Sequence, residues 1–335
     1  MANKCIVKFK DGTDVTTINA ALEGVGENTH TFEHVFSGFA ARLDNLAVEL
    51  LRQFPDVEYI EQDVSGTSTG YITESGSTWG LARISHRDNT QDDGVDDTHP
   101  EFEGRAHQIK SFVPGAETDD LGHGTHCAGT IGYKTYGVAK KVHIYSVKVI
   151  NSEDRFHYSD LIAAYDFIAK DSSSRDCPNG VIVSGSLSGA FSTLLNNAAD
   201  AMADKGFFMA VSAGNKKEDV NGYSRSSASK VCTVGGVDRH DKAYTYSNFG
   251  SGVNIIAPAV DVKSTLPGTK VGYSTGTSMA TPHVAGLDAY FASRDGVKAS
   301  PALCDQIVKS ATRDAISDQF DGTVNLIAFN ENSSA

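Results

Sequence analysis

Nowhere in the 335 residues is there an apolar run approaching the ~18 positions that a bilayer-crossing helix needs, which argues against a membrane as partner. The opening residues, M-A-N-K-C-I-V-K-F-K, also lack the basic n-region and long apolar h-region of a secretory signal. Taken literally, such a chain is expected to stay in the cytosol. Basic charge is scarce: 29 Lys and Arg against 42 Asp and Glu leave a net charge of −13, which argues against nucleic acid or an anionic lipid surface as partner. An acidic balance of this kind is ordinarily a solubility device. Cysteine is scarce too. Cys5, Cys127, Cys177, Cys232 and Cys304 are too few and too scattered for a disulfide-built scaffold, and they show neither C-x-x-C nor zinc-site spacing.

What is present suits a globular α/β protein with many tight turns: 40% hydrophobic residues and 32 glycines. The length predicts one large or two unequal domains. Residues 4–63 read as a unit of their own. Lys4–Phe9 is β-like, Val15–Leu22 weakly helical, and His34–Leu43 strand material broken at Gly38. Asn45–Phe54 has helical spacing and Val57–Ile60 closes the unit as a strand, a β-α-β-β-α-β order of the ferredoxin-like kind. Residues 64–78 are rich in Ser, Thr and Gly with no apolar period, which predicts a linker open to proteolysis.

From Trp79 onward apolar runs alternate with amphipathic segments. Val142–Ile150 precedes Asp160–Ala169, and Val181–Leu187 precedes Thr193–Ala203. Phe207–Ala213, Val231–Val237 and Val253–Ala257 are further runs. Strands buried on both faces have this composition, so a mostly parallel sheet flanked by helices is expected.

Three segments place reactive side chains among glycines: G-H-G-T-H-C-A-G-T at 122–130, A-G-N at 213–215 and G-T-S-M-A-T-P-H-V-A-G at 276–286. Ser278 falls at the first turn of a helix predicted to run to about Phe291, where the helix dipole favours developing negative charge. A serine needs an adjacent base, and the base needs a carboxylate to hold its tautomer. Asn215, after a strand, is suited to donate an amide N–H to an oxyanion. Each signal alone has a plainer meaning: an N-cap for Ser278, a structural role for His123, a turn for A-G-N. His126 and His283 read as packing histidines.

Together these three segments resemble the histidine, oxyanion and serine motifs of the subtilases. W-G-L-A-R-I-S at 79–85, H-P-E-F-E-G-R-A at 99–106 and Y-G-V-A-K-K at 136–141 narrow the resemblance to the proteinase K-like branch. Residues 2–63 are similar to that branch's inhibitory propeptide. The resemblance implies a serine endopeptidase precursor of broad specificity, with His123 as general base, Ser278 as nucleophile and Asn215 as oxyanion donor. It implies that the Ser186, Leu187, Ser188 and Gly189 strand binds extended peptide, and that Cys232 and Cys304 form a disulfide. The expected organisation is a propeptide domain at 1–63, a linker with the maturation cleavage at 64–78 and a catalytic domain at 79–335. Protein or peptide substrates, the chain's own propeptide as intramolecular inhibitor, a monomeric state and an extracellular location follow from the same resemblance.

The acid departs from the pattern. Alignment on H-P-E-F makes Asp92, in D-D-G, the match, but the preceding H-R-D-N-T-Q has no apolar content and is not expected to form the family's buried strand. The chain is shorter here by roughly twenty residues, enough for a loop plus one strand of ~5–6 residues. A central strand is therefore expected to be missing near 85–92, in the stretch that would hold the partner of Cys177. An exon lost from the gene model accounts for this, and a functional deletion is the alternative. Two further departures stand out. Phe156 in R-F-H-Y replaces a glycine at the substrate edge and is expected to narrow the cleft. No cofactor is expected to be required; structural calcium is possible but weakened, because Asn254 replaces a calcium-binding aspartate. The rival to the enzyme is an inactive pseudo-protease, or a protein that binds through its inhibitor-like domain.

Overall fold

Successive side chains of a strand face opposite ways, and in K-C-I-V-K-F both ways are buried. The computed structural model describes residues 3–23, 27–69, 71–73, 90–92 and 94–331, with the backbone alone at 23, 71–73 and 90–92. It places that segment in β1 (Asn3–Phe9), followed by α1 (Val15–Glu23), β2 (Glu27–Phe32), β3 (Gly38–Leu43), α2 (Asn45–Leu51) and β4 (Val57–Gln62). The strands pair antiparallel in the order β2-β3-β1-β4, the ferredoxin-like arrangement expected. Cys5, Val7 and Phe9 pack against Ile18 and Ala21 of α1 and Leu51 of α2. Ile6 and Ala40, on the opposite face, join Phe32, Val35 and Phe36 against the larger part of the chain.

Two boundaries differ from expectation. Residues 33–37 form a bend, where strand was expected from His34 onward. The backbone N–H groups of Glu33, His34 and Val35 all donate to one carboxylate oxygen of Asp166, which removes them from any ladder. Helix α2 stops at Leu51, short of Phe54.

The stretch at 64–78, expected as a linker, contains β5 (Ser65–Ser68) and β6 (Tyr71–Thr73). Beyond it come β7 (Thr90–Asp92), β8 (Ala106–Ser111), α3 (His123–Gly132), β9 (Ile144–Lys148), β10 (Phe156–His157), α4 (Tyr158–Ser172), β11 (Ile182–Gly185) and β12 (Leu187–Ala190). Then follow α5 (Thr193–Asp204), β13 (Phe208–Ser212), β14 (Tyr223–Ser224), β15 (Cys232–Val237), β16 (Ile255–Pro258), β17 (Val262–Leu266) and β18 (Lys270–Thr275). The last elements are α6 (Thr277–Asp295), α7 (Ala302–Ser310), β19 (Thr312–Arg313) and β20 (Leu326–Ile327).

The main sheet runs β8-β9-β7-β11-β13-β15-β16-β20-β19, parallel from β8 to β20. Its two faces can be read residue by residue. Ile182, Phe208 and Ala210 meet the side of Ala128 and Val284, on α3 and α6. Val183, Met209 and Val211 meet the side of Leu161 and Leu195, on α4 and α5. This is the doubly covered parallel sheet that the apolar runs predict.

The missing central strand is the main correction. Thr90–Asp92 forms β7, pairing in parallel with Ser184 and Gly185 on one side and with Val147 and Lys148 on the other. The expectation failed because it weighed the segment's own apolarity. Ladder bonds offered by two flanking strands hold three polar residues there regardless. Most of the segment that precedes it, residues 81–89, lies outside the described residues. At the level of Tyr145 and Val183, where no described residue of β7 stands between β9 and β11, there is a cavity of about 40 Å³, lined also by Ile109 and Ile168. That is room for water, not for a side chain of any size.

Cys232 of β15 and Cys304 of α7 are joined, closing a loop of 72 residues. Removing the bridge with Cys232→Ser and Cys304→Ser is expected to cost about 4 kcal/mol through the freed unfolded chain. Chemical denaturation of the Ser278→Ala form, with and without the bridge, measures it. On α6, Asp288 is fully buried and neither carboxylate oxygen has a hydrogen-bond partner among the described residues. Burial pushes its carboxyl well above the usual range.

Candidate active site

The turn into α6 requires Gly276, whose φ of 148° is a value that side chains disfavour. Thr277 opens the helix, and Ser278 sits fully buried in its first turn. Pro282 falls early enough to be accommodated, and the helix continues past Phe291 to Asp295. The backbone carbonyl of Ser278 accepts from Ser186 Oγ at 2.9 Å and from Cys127 Sγ at 3.6 Å.

Asn215 follows β13 at the end of S-A-G-N. Its Oδ1 accepts from the N–H and the hydroxyl of Thr277 at 3.0 and 2.9 Å, which fixes the amide so that Nδ2 points away from α6's first residue. That Nδ2 donates to the carbonyl oxygen of Thr69, and the Ser278 N–H donates to the same oxygen at 3.2 Å. The Thr69 N–H lies 3.0 Å from Ser278 Oγ and its hydroxyl 2.5 Å from the same atom. Ser278 Oγ itself donates to the Ser186 carbonyl at 2.9 Å.

Thr69 arrives there because β5 is a strand in a second sheet, in the order β10-β5-β12. Leu187 pairs with Ser68 and Ser188 with Thr67, while Phe156 pairs with Gly66 and His157 with Ser65. Asp154 accepts the Ser68 N–H at 3.0 Å. Beyond Thr69 the chain continues as β6 along β18, with Tyr71 opposite Thr275. Ser186, Leu187 and Ser188 thus lie beside an extended segment of the chain's own linker, while Gly189 pairs with Ser224 of β14. Sequence reasoning missed Thr69 itself and Ser212, whose Oγ donates to the Leu187 carbonyl and meets the Thr69 hydroxyl at 2.9 Å. The Ser/Thr run of the linker was the available signal for the first.

His123 is buried at the first position of α3, and Cys127, one turn on, touches Ser278. The helix start is capped by Asp119, which accepts the N–H groups of Leu121, Gly122 and Thr125 at 2.7–3.1 Å. Helix α3 packs on α6 and on β7. The backbone of Asp92 ends β7, while its side chain lies outside the described residues. His126 and His283 are packing residues: burial lowers them to about 3 and about 4, and they bond the Val262 and Met279 carbonyls.

The Asn254 amide oxygen accepts the Thr233 N–H at 2.7 Å and its own N–H returns to the Thr233 carbonyl. Among the described residues no three His, Cys, Asp or Glu side chains form a group that could hold a metal ion.

The N-terminal unit holds the linker in place through charged contacts. Asp63 accepts both the N–H and the hydroxyl of Ser159 at the start of α4, at 3.0 and 2.7 Å. His30 bonds Asp160 at 2.7 Å, and Lys4 lies within 3.5 Å of Asp63 and Asp160.

Comparison with known proteins agrees with this geometry. Residues 19–66 match the peptidase inhibitor I9 family and residues 91–326 the subtilase family. The chain is 44% identical to proteinase R of Parengyodontium album, with 98% of this chain and 89% of that protein aligned. It is 42% identical to a cuticle-degrading protease of Metarhizium anisopliae, over 98% and 90%. A crystal structure of a cold-adapted subtilisin-like serine proteinase superposes with a TM-score of 0.69 at 31% identity, covering 76% of this chain and 99% of that one. With its inhibitor-type N-terminal region, the chain belongs to the subtilase family.

Proposed function

We propose that the chain is a serine endopeptidase precursor that cuts itself between Thr69 and Gly70 and then cleaves other proteins at the same site. One observation carries this reading. The Thr69 carbonyl oxygen lies between two donors, Asn215 Nδ2 and the Ser278 N–H, while Ser278 Oγ lies against the same residue. A carbonyl held this way is polarised for attack, and the donors are ready for the charge that develops.

In the reaction proposed, Ser278 Oγ leaves the Ser186 carbonyl and gives its proton to His123. It then bonds to the Thr69 carbonyl carbon. Asp92 holds the imidazole and stabilises its charge. The tetrahedral oxyanion stays with Asn215 and the Ser278 N–H. The bond to Gly70 breaks as His123 returns the proton to the leaving amine, and water then releases the acyl group from Ser278 by the same steps. The non-catalytic rival rested on a lost strand before Asp92, and β7 occupies that place. An extracellular site of action is part of the proposal, supported by the likeness to a cuticle-degrading protease. No described helix is long and apolar enough to cross a membrane.

Asn215→Ala is expected to slow linker cleavage and peptide hydrolysis by about 10²–10³ in kcat, with little change in KM, because the donor acts on the transition state. Steady-state kinetics check the split. A fluorophosphonate that labels Ser278 in the matured chain supports the enzyme. A folded, matured chain that takes no label rules it out.

A further inference from the structure

The cleft is unequally open along the strand that fills it. A groove of about 320 Å³, touched by Ser65 to Thr69, runs between β5 and Ser188, Gly189, Asn215 and Tyr223. In the direction a side chain of Gly66 would take, three residues before Thr69, the space is filled. A Cβ added to Gly66 would lie 2.6 Å from Cζ and 2.7 Å from Cε1 of Phe156, and 2.6 Å from the Ser188 carbonyl oxygen. Strand β10 supplies the ring and strand β12 the carbonyl, so β5 cannot gain space by sliding toward either neighbour.

Nor does the ring swing aside. Phe156 is 2% exposed and lies in the apolar cluster with Leu187 and Leu161. It stacks on Tyr158 with ring centroids 5.9 Å apart, and Tyr158 is itself tied by its hydroxyl to the Ala190 carbonyl at 2.7 Å. Protein interiors this tightly filled resist added methylenes.

We propose that Phe156 is a specificity-determining residue, selecting chain segments with glycine as the fourth residue before the cleaved bond, the position Gly66 holds in the linker. The proposal rests on the reading of Thr69–Gly70 as the cleaved bond, and it narrows the broad specificity expected from the sequence at one subsite. The linker G-T-S-T is then not merely polar spacer. Its glycine is the residue the cleft accepts.

The test uses the matured enzyme and peptides containing Xaa-Thr-Ser-Thr-Gly with Xaa glycine, alanine or leucine. Wild type is expected to favour glycine over leucine by on the order of 10–100-fold in kcat/KM, with alanine between. Phe156→Gly is expected to raise the leucine-to-glycine ratio by at least about 10-fold. A ratio taken within one preparation is insensitive to any loss of folded protein. Equal cleavage of all three peptides by wild type, or an unchanged ratio in Phe156→Gly, overturns the proposal.

A second measurement does not depend on turnover. In the full-length Ser278→Ala chain, Gly66→Leu is expected to speed amide hydrogen exchange across residues 65–68, and adding Phe156→Gly to restore protection. Unchanged exchange in the single variant, or no restoration in the double one, also overturns it. If no peptide is cut by any form, the protease reading falls, while the exchange result still decides the role of Phe156.

Discussion

Ser278→Ala is expected to leave the protein as one uncut 335-residue chain, where the wild type separates into 1–69 and 70–335. Hydrolysis of an external peptide should fall by on the order of 10⁵–10⁶. The size of the effect follows from the neighbouring hydroxyls, none of which can replace Ser278. Ser186 Oγ donates to the Ser278 carbonyl and Ser212 Oγ to the Leu187 carbonyl, so both are turned away from the Thr69 carbonyl carbon. The donors on the Thr69 oxygen survive the substitution, which leaves a site that binds and polarises but has no atom to form the acyl bond. Intact mass and N-terminal sequencing of the purified chain decide the matter. A new N-terminus at Gly70 in the alanine variant would sink the assignment, and one elsewhere in wild type would move the site.

Asp288→Ala is expected to stabilise the protein, by about 1–3 kcal/mol near neutral pH. A carboxyl fully enclosed without a partner loses its hydration and gains nothing in return, whereas alanine suits a helix interior. For a domain of this size the thermal midpoint should rise by about 2–4 °C per kcal/mol. The gain should also depend on pH. Below about pH 4 the unfolded chain and the folded chain both carry the proton, and wild type has no pH-linked penalty. As pH rises from there toward the raised folded value, the unfolded chain releases its proton first, which draws the equilibrium toward unfolding. The wild type therefore loses stability across that window while the alanine variant does not, and the gap between them widens upward. Differential scanning fluorimetry in the Ser278→Ala background, at several pH values, would show parallel curves if Asp288 were solvated after all.

The residues that carry chemistry were legible because their demands are local. Gly276 before Ser278 and A-G-N after a strand each shape a turn within a few positions, and the packing roles of His126 and His283 follow from their helices. What could not be read shares one cause. The strands β5 and β7 are polar, and they exist because edges far along the chain receive them: Ser188 for Thr67, Ser184 for Thr90. Periodicity measures what a segment buries, and these segments are held by backbone hydrogen bonds instead. The same limit hid the bend at 33–37, whose partner Asp166 lies over a hundred residues away.

The N-terminal sheet is apolar on both faces, one against its own helices and the other against the larger part of the chain. While the linker is continuous, that second face is covered at no cost in association entropy. After the Thr69–Gly70 bond is cut, Ile6, Phe32, Val35 and Phe36 must be exposed to water if the piece departs, with Asp63 no longer at the start of α4. A small unit with about a third of its buried apolar residues laid open keeps only the core under α1 and α2 to hold it folded. On the proposed reading its departure would make it a substrate, with the enzyme it leaves as the nearest one able to destroy it. Maturation built this way runs in one direction.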